Sequence, residues 1–590
     1  MATTAANPPA EVSRAHPLGL YVLFGTEAWE RFSYYGMRAL LVLYLTKQLQ
    51  FGETEALGIY GLYTGLVYLT PLIGGYVADT YLGTRKAITV GGFLMMLGQF
   101  ALMSESLVYL GMMLLIVGNG FFKPNVSTIV GSIYPPGDAR RDGGFTIFYM
   151  GINLGALFSP LICSTLGETY GWAYGFGSAG VGMAVGLAMF IAAQVYIISV
   201  PQGEVQEDEE DHSLTAPAPP PEESTMPILA ERSSAPTGRG VDDDDENDPT
   251  VVYSKDQLRY LDEGLLDEDP SDVFEQVGHG AELTDDEGEV IGVPTPAEPP
   301  AALARTAHFN LRDWRDIAVS VVIAGGIAGA ISLAWAAKGQ PGVLGAGALV
   351  LAVLVGLEAL LSKRRGKGAQ DTSPPLTRQD WHRTGVILLL AMFTIFFWMG
   401  FEQAGGTFSL FADTRTNRVV GGFTIPAGWF QSVNPLMILG LAPLFSLLWG
   451  GLARTRFNPS TPVKMGFGLI FLAAGFGVMG MADQIAGADG MVGPMWLVVA
   501  FLLHTMGELC LSPIGLSMVT KLAPLKLASL LMGLWFAATA TANYMAGVLP
   551  AIMESAQLPL YWFLVAVSTG AALVLFALSP VITKYMYGRG

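Results

Sequence analysis

Charged residues are scarce in this sequence of 590 residues. Asp, Glu, Lys and Arg together make up 14% of the chain, whereas soluble globular domains average about 25%. Hydrophobic residues account for 51%, a composition typical of membrane proteins. The sequence therefore predicts a membrane protein rather than a soluble globular one.

The sequence contains only two cysteines, and several motifs of ATP-driven proteins and enzymes are absent from it. Cys163 and Cys510 both lie in apolar runs, so we expect neither a disulfide framework nor a cysteine-based metal site. The sequence has no G-x-x-x-x-G-K-[ST] motif, which argues against ATP as the energy source. No nucleophile–base pair or metal-ligand cluster stands out either, so we expect no enzymatic activity, no cofactor and no metal. The first 19 residues do not resemble a signal peptide, so the first membrane helix is expected to direct insertion.

Negative charge is concentrated in one segment. The formal net charge is −18, yet residues 201–300 alone contain 29 Asp and Glu against 4 Lys and Arg. Residues 203–310 are rich in Asp, Glu and Pro and poor in aromatic residues, so they lack the apolar surface that offsets chain entropy, and we predict disorder. We interpret this acidic insert as a cytoplasmic linker, with a partner-binding or regulatory segment as the alternative. Residues 256–267 could form a transient amphipathic helix, and the sign of the charge argues against nucleic-acid binding.

Fourteen apolar runs are long enough to span a bilayer, since a core of about 30 Å takes about 20 helical residues. Six precede the acidic insert, two follow it around the turn 338–342, and six more end the chain. They cover residues 18–47, 55–79, 86–104, 107–133, 143–165, 174–199, 314–337, 341–362, 384–412, 427–452, 462–482, 493–520, 527–552 and 559–584.

Basic residues predict the orientation of these runs. If both termini are cytoplasmic, the cytoplasmic ends of the runs hold most of the Lys and Arg, as the positive-inside rule requires. These residues are Arg85, Lys86, Arg140, Arg141, Lys363, Arg364, Arg365, Arg454, Arg456, Lys521, Lys526 and Lys584, against only Lys47, Arg415 and Arg418 on the opposite side.

Polar residues form a stripe on the first run. Glu27, Glu30, Arg31, Tyr34 and Arg38 are spaced three, one, three and four residues apart, which places them along one face of a helix. Ionisable groups in a membrane helix are costly and face a bundle interior or a water-filled cavity. Two carboxylates beside one arginine suit proton transfer, because the arginine holds one carboxylate charged while the other takes a proton. A purely structural ion-pair network is the alternative.

Three further ionisable residues lie in apolar runs that are far apart in the sequence. Lys123, Glu402 and Glu508 each have Gly or Pro nearby, where a helix can bend and turn backbone groups toward a cavity. We expect them to converge at mid-membrane and bind a zwitterion, with its carboxylate toward Arg38 and Lys123 and its ammonium toward Glu508. Weaker candidates for this site are Tyr68, Asn153, Trp398, Asn434 and Trp535. His504 is interpreted as a packed polar residue, with a proton relay as the alternative.

The segment from Gly75 to Lys86 connects the second and third runs. Its Gly75, Asp79 and Gly83, followed by Arg85 and Lys86, predict a tight cytoplasmic turn. We expect Asp79 to accept from a helix end and the basic pair to lie at the lipid headgroups. This segment is interpreted as conformational machinery rather than as a substrate site.

Several of these segments resemble the signatures of a known family. Residues 27–36, E-A-W-E-R-F-S-Y-Y-G, resemble the E-x-x-E-R-F-x-Y-Y-G signature of the proton-coupled oligopeptide transporter (POT) family of the major facilitator superfamily. Residues 145–157, F-T-I-F-Y-M-G-I-N-L-G-A-L, are similar to its second signature. Residues 121–128 and 507–517 also resemble family segments, and residues 75–86 resemble the loop motif of the superfamily. The similarity covers nearly everything except about 1–15 and 203–310.

The resemblance implies a fold and a domain organisation. The fold is an all-α membrane protein of two six-helix bundles plus, as in bacterial members, an additional helix pair, giving 14 transmembrane helices. The expected parts are a cytoplasmic tail (1–16), an N-terminal bundle (17–202), the acidic insert (203–312), the helix pair (313–365), a linker (366–381) and a C-terminal bundle (382–590).

The resemblance also implies residue roles. Proton coupling is implied for Glu27, Glu30, Arg31, Lys123 and Glu402. Peptide contacts are implied for Tyr34, Tyr35, Arg38, Tyr68, Lys123, Asn153, Trp398, Asn434, Glu508 and Trp535. Arg38 with Glu402 would form an outer gate, and Lys123 with Glu508 an inner gate. Phe401 stands where some members carry a second acid, which leaves Glu402 as the only proton site there, and the acidic insert is not typical of the family.

The implied function is proton-coupled import of di- and tripeptides by alternating access. The expected setting is the inner membrane, with both termini cytoplasmic, the proton gradient as the energy source and no cofactor. The expected partners are peptide, protons and the bilayer, with no nucleic acid, and the protein is expected to be a monomer. Two alternatives stay open: transport of another zwitterion or an anion such as nitrate, and a receptor that senses peptide and signals through the acidic insert.

Overall fold

A computed structural model describes residues 15–134, 138, 140–194, 311–364, 376–487, 490–524 and 527–588. Within these residues the chain is almost entirely helical, as predicted. The predictions made for residues 1–14, for most of the acidic insert and for the linker up to residue 375 lie outside the described residues.

Six helices precede the acidic insert, and each coincides with one of the first six apolar runs to within a few residues. They are α1 (Leu18–Lys47), α2 (Glu53–Val77), α3 (Thr84–Ala101), α4 (Val108–Ser132), α5 (Arg140–Tyr170) and α6 (Trp172–Ala192). A π-helical turn, Ala78–Leu82, extends α2, and a 3₁₀ turn, Glu105–Leu107, precedes α4. We call outer the side of the membrane that carries the α1–α2 turn, following the predicted orientation.

The predicted extra pair forms one helical element, α7 (Leu311–Arg364), with a break at Gly339. Gly339 has φ +61° and ψ −152°, a conformation that residues with a side chain rarely adopt. The break therefore falls in the predicted turn 338–342.

The C-terminal part contains shorter pieces as well as long helices. Its elements are α8 (Arg378–Phe401), a 3₁₀ turn (Glu402–Ala404), α9 (Thr407–Thr414), the antiparallel pair β1 (Val419–Val420) and β2 (Phe423–Thr424), a 3₁₀ segment (Ala427–Ser432), α10 (Val433–Ala453), α11 (Thr461–Ala486), α12 (Met495–Leu522), α13 (Ala528–Ser555) and α14 (Leu560–Tyr585).

The run 384–412 is not one continuous helix, because the helix stops beside Glu402 and restarts at Thr407. Gly406 has φ −103° and ψ −97°, outside the helical region. At Gly405, a Cβ atom would lie 1.8 Å from the hydroxyl oxygen of Tyr60 and 2.9 Å from Arg38 Nε. The glycine pair thus lets the chain bend around two side chains of the opposite bundle.

Eleven of the described helical segments are long and apolar enough to cross a membrane. α1 is not among them, and its stripe carries Glu27, Glu30, Arg31 and Arg38. The exact number of 14 spanning helices stays a prediction.

The two bundles meet closely in their outer halves, where α2 packs against α13. A Cβ at Gly61 would lie 2.6 Å from the Cα of Gly547. Small residues at such crossings let helix backbones approach in a membrane.

On the inner side, the start of the chain is fastened to the α4–α5 connection. His16 Nδ1 lies 2.9 Å from the Tyr134 hydroxyl, and the Arg140 guanidinium donates to the Ala15 carbonyl at 2.8 Å. Hydrogen bonds from the Arg140 side chain and backbone lower the pKa of Asp138 to about 2, so this carboxylate stays charged at physiological pH.

Candidate functional site

α1 brings Glu27, Glu30 and Arg31 together on a buried face, as their spacing predicted. Arg31 Nε donates to Glu27 Oε1 at 2.8 Å and lies 2.5 Å from Glu30 Oε2. The three residues are 4%, 0% and 4% exposed. Two carboxylates therefore share one guanidinium in a site away from solvent, and the excess negative charge is one that a proton can neutralise.

A cavity of about 290 Å³ lies at the centre of the molecule between the bundles. Nine of the ten residues predicted to contact peptide line it. They are Tyr35, Arg38, Tyr68, Lys123, Asn153, Trp398, Asn434, Glu508 and Trp535. The exception is Tyr34, which is 3% exposed and packs edge-on against Tyr35 with their ring centroids 5.1 Å apart.

Charged groups of both signs line the cavity wall. Arg38 Nη2 lies 2.5 Å from Glu402 Oε2, and its Nε donates to the Tyr60 hydroxyl at 2.7 Å. The Lys123 ammonium lies 4.3 Å from the centroid of the Tyr68 ring, a cation–π distance.

Glu508 is held from the side by its neighbours in the C-terminal bundle. Asn434 Nδ2 donates to Glu508 Oε2 at 2.9 Å and to Thr505 Oγ1 at 3.0 Å. Among the described residues, Lys123 and Glu508, the pair expected at the inner gate, form no ion pair with each other, whereas Arg38 and Glu402, the pair expected at the outer gate, are in contact. In this part of the chain the cavity wall therefore carries an ammonium on one bundle and a carboxylate on the other that are not paired with each other. The two gate roles stay predictions.

Sequence reasoning missed several residues of the cavity wall. Gln431, Ser512 and Thr539 were detectable, because each is a polar residue in an apolar run. The others carry no signal that separates them from ordinary packing residues. The missed residues are Tyr149, Ile152, Ala156, Phe401, Ala404, Gln431, Pro435, Ile438, Phe501, Leu511, Ser512, Phe536 and Thr539.

On the outer side of the cavity, one face of α5 accepts hydrogen bonds from the 3₁₀ segment that leads into α10. The acceptors on α5 recur every three or four residues, and all donors lie in residues 427–432. Ser432 Oγ donates to the Leu157 carbonyl (2.8 Å), Trp429 Nε1 to the Leu161 carbonyl (3.1 Å) and Thr165 Oγ1 (2.9 Å), and the backbone N–H groups of Ala427 and Gly428 to Glu168 (3.0 Å each). We call residues 157–168 with 427–432 the outer latch.

Four charged side chains, including Glu168 of the outer latch, form a series of ion pairs in which the sign of the charge alternates. Lys47 Nζ lies 2.6 Å from Asp413 Oδ1, Arg418 Nη2 lies 2.9 Å from the same oxygen, and Arg418 Nη1 lies 3.5 Å from Glu168 Oε2. Lys47 and Glu168 belong to the N-terminal bundle, Asp413 and Arg418 to the C-terminal part. The outer side is thus closed by two layers, of which only the Arg38–Glu402 layer was expected.

The remaining predicted residues lie away from the cavity. His504 is buried and stacks on Phe408, with ring centroids 5.5 Å apart, in keeping with a packed residue. Gly75 lies within α2, and Gly83, with φ +78°, alone separates the π-helical turn from α3. Asp79 is exposed.

The basic pair of the loop motif also makes contacts that the sequence did not predict. Lys86 Nζ lies 2.9 Å from Asp313 Oδ1 and 3.2 Å from Asp316 Oδ2, both on α7. Arg85 donates to Gln194 Oε1. Both cations therefore bind other parts of the protein, and their place at the lipid headgroups stays a prediction.

Comparison with known families gives a match to the POT family model over residues 85–215 and 376–563. An uncharacterised transporter of Bacillus subtilis, YclF, is 32% identical over 97% of this chain and 96% of its own length. The peptide transporter YePEPT of Yersinia enterocolitica is 33% identical over 95% and 92%, and a di-/tripeptide transporter of Lactococcus lactis is 29% identical over 92% and 90%.

Solved structures agree with these matches. A peptide transporter POT in complex with sulfate is 30% identical, with a TM-score of 0.65 and coverage of 98% of both chains. A mutant of a peptide transporter POT in complex with alafosfalin gives a TM-score of 0.64 at 30% identity over 98% of both chains. A POT family transporter in complex with 5-aminolevulinic acid gives 0.65 at 25% identity, over 98% of this chain and 99% of that one.

Proposed function

On these matches the chain belongs to the POT family, and from this premise we propose that it imports di- and tripeptides in symport with protons by alternating access. The observation that carries the proposal is the central cavity, in which a lysine and an arginine on the N-terminal bundle face a carboxylate on the C-terminal bundle. Short peptides share a terminal carboxylate and a terminal ammonium whatever their side chains are. A site that binds the two ends therefore accepts many peptides.

The relatives support this substrate class. The Yersinia and Lactococcus proteins are named as peptide and di-/tripeptide transporters, and both align with most of this chain. The apolar part of the cavity wall, including Trp398, Phe501 and Trp535, provides room for varied side chains.

Proton coupling is assigned to the buried cluster on α1, with Lys123 and Glu402 as its partners. Arg31 neutralises one of the two carboxylates, so Glu27 and Glu30 together can take up one proton without leaving an unpaired charge. The proton gradient supplies the energy, and no cofactor is required. The protein acts as a monomer in the inner membrane, with both termini in the cytoplasm.

A second candidate substrate class is another small zwitterion. One structural relative binds 5-aminolevulinic acid, which carries an amine and a carboxylate as a dipeptide does. The same two charged walls of the cavity would bind it.

Purified protein in liposomes with an imposed pH gradient, acidic outside, tests the proposal. A labelled dipeptide should accumulate above its equilibrium level, and collapse of the gradient with an ionophore should abolish the accumulation. Saturable binding without uptake would instead indicate a receptor. Nitrate-driven current without competition by peptide would indicate an anion transporter.

The variant Glu508→Gln, in the same assay, tests whether Glu508 binds the ammonium of the peptide. A hydrogen bond to a charged group contributes about 1.5–3 kcal/mol, so removal of the charge should weaken competition by a free dipeptide about 10- to 100-fold. Competition by its N-acetylated form, which lacks the ammonium, should change little. Glu554→Gln, at an exposed position at the outer end of α13, is the matched control.

A further inference from the structure

Adjacent cations at the start of α3 contact described residues on both sides of the acidic insert. Lys86 Nζ lies between Asp313 and Asp316, at 2.9 and 3.2 Å, just after the insert. Arg85 donates to Gln194, the last described residue before it. A loop motif that acted only at the lipid headgroups would need neither contact.

α7 packs on the N-terminal bundle along one face. Trp335 is buried, and its ring centroid lies 5.2 Å from that of Tyr109 on α4. Ala328 is fully buried, and a Cβ at Gly325 would lie 3.8 Å from Leu94 on α3. Gly325, Ala328 and Trp335 are three and seven residues apart, a helical spacing. The packing face of α7 thus consists of small residues that end in one large aromatic, as in close membrane helix pairs.

The opposite face of α7 is exposed and apolar. Val322, Ile323 and Leu333 are between 58% and 74% exposed, as expected for side chains that face lipid. In the described part of the chain, the extensive packing of α7 is with α3 and α4.

We propose that Arg85 and Lys86 bind the described residues that flank the acidic insert, Gln194 on one side and Asp313 and Asp316 on the other, and that α7 moves with the N-terminal bundle as one rigid body. The inference rests on the proposed transport function in that it requires two bundles that move relative to each other. Both flanks of the insert then belong to one body, so alternating access does not change the distance between them. The basic pair, in this chain, is an internal docking site for α7.

A disulfide tests the rigid body. In a background with Cys163→Ala and Cys510→Ala, Leu94→Cys with Gly325→Cys should form a disulfide between α3 and α7 and retain dipeptide uptake within about twofold of the reduced form. Lys47→Cys with Asp413→Cys, joined across the bundles on the outer side by a short bis-methanethiosulfonate cross-linker because the lysine side chain leaves their Cβ atoms too far apart for a direct disulfide, should lose uptake on cross-linking and regain it on reduction. If the α3–α7 disulfide also abolishes uptake reversibly, α7 does not move with the N-terminal bundle and the proposal is overturned. If the reduced proteins do not transport peptide at all, it is the proposed function that fails, and the distance measurement below still decides the inference.

Spin labels on Leu97 of α3 and Leu333 of α7 test the clamp without a transport assay. The distance distribution between them should be narrow and unchanged under conditions that shift a Leu97–Met481 pair, which spans the two bundles. Lys86→Glu should broaden the α3–α7 distribution, and adding Asp313→Lys and Asp316→Lys should restore it. A distribution that Lys86→Glu leaves unchanged overturns the role of Lys86 in docking α7, and one that shifts together with the Leu97–Met481 pair overturns the rigid body.

Discussion

The carboxylate of Glu168 is the part of the outer latch whose removal has the most readily calculated effect. It accepts the N–H groups of Ala427 and Gly428, both at 3.0 Å, from the opposite bundle. Hydrogen bonds to a charged group contribute about 1.5–3 kcal/mol each. Water can replace these bonds when the latch opens, so we expect Glu168→Ala to destabilise the outward-closed state by about 1–2 kcal/mol. The ratio of outward-open to outward-closed molecules should then rise about 5- to 30-fold.

Spin-label distances between the outer ends of the bundles would measure this shift. Labels on Ser106 and Ser555, both exposed, should report a larger population at long distance in Glu168→Ala. Glu168→Gln keeps one acceptor oxygen without the charge and should give an intermediate population. The apparent KM for external peptide should fall in both variants, because a larger fraction of molecules is competent to bind from outside.

The control for this prediction is Glu55→Ala. Glu55 is an exposed carboxylate on the outer turn of α2 with no ion pair or hydrogen bond to another described side chain. Glu55→Ala removes one negative charge from the same side of the membrane as Glu168→Ala does. Distances that stay unchanged in Glu168→Ala, or that change equally in Glu55→Ala, would refute the reasoning.

Three further predictions concern single positions. Glu30→Gln should abolish peptide accumulation driven by the pH gradient and spare peptide counterflow; normal gradient-driven accumulation would contradict the coupling role. Gly405→Ala should lower uptake at least tenfold, because its Cβ would clash with the Tyr60 hydroxyl oxygen, while Gly440→Ala, which meets open space, should transport normally. Asn434→Leu should raise the KM for peptide about tenfold with a smaller change in maximal rate, since it removes the amide that holds the neighbouring carboxylate; equal losses in both parameters would argue against a binding role.

The fold was largely predictable because bilayer-spanning helices need long apolar runs, and these are visible as composition. α1 begins and ends at the predicted residues, 18 and 47. The helix break beside Glu402 was predictable only as a bend. Its form depends on Gly405 meeting Tyr60 and Arg38, two residues far away in the sequence. The interruption of α7 was predictable, and it falls at Gly339, within the predicted turn 338–342.

The candidate site was likewise predictable only in part. Charged residues in apolar runs are conspicuous, because membrane burial makes them costly, and Arg38, Lys123 and Glu508 indeed line one cavity. The outer latch was not predictable. Two of its acceptors are backbone carbonyls, of Leu157 and Leu161, and a leucine carries no signal that its carbonyl will accept a bond from another bundle.

The arrangement of charges at the cavity indicates how substrate and gates are connected. Lys123 and Glu508 lie on different bundles and are not paired with each other, although opposite charges in a low-dielectric site attract strongly. A zwitterion of dipeptide length would satisfy both at once, its carboxylate at Lys123 and its ammonium at Glu508. On the proposed function, we expect a bound peptide to bridge the two bundles at this level and so to favour closure of the inner side. The outer latch joins the same two bundles, so we expect closure of the inner side and opening of the outer side to be coupled through its hydrogen bonds. A peptide that bridges Lys123 and Glu508 should therefore favour the state in which the latch bonds are broken.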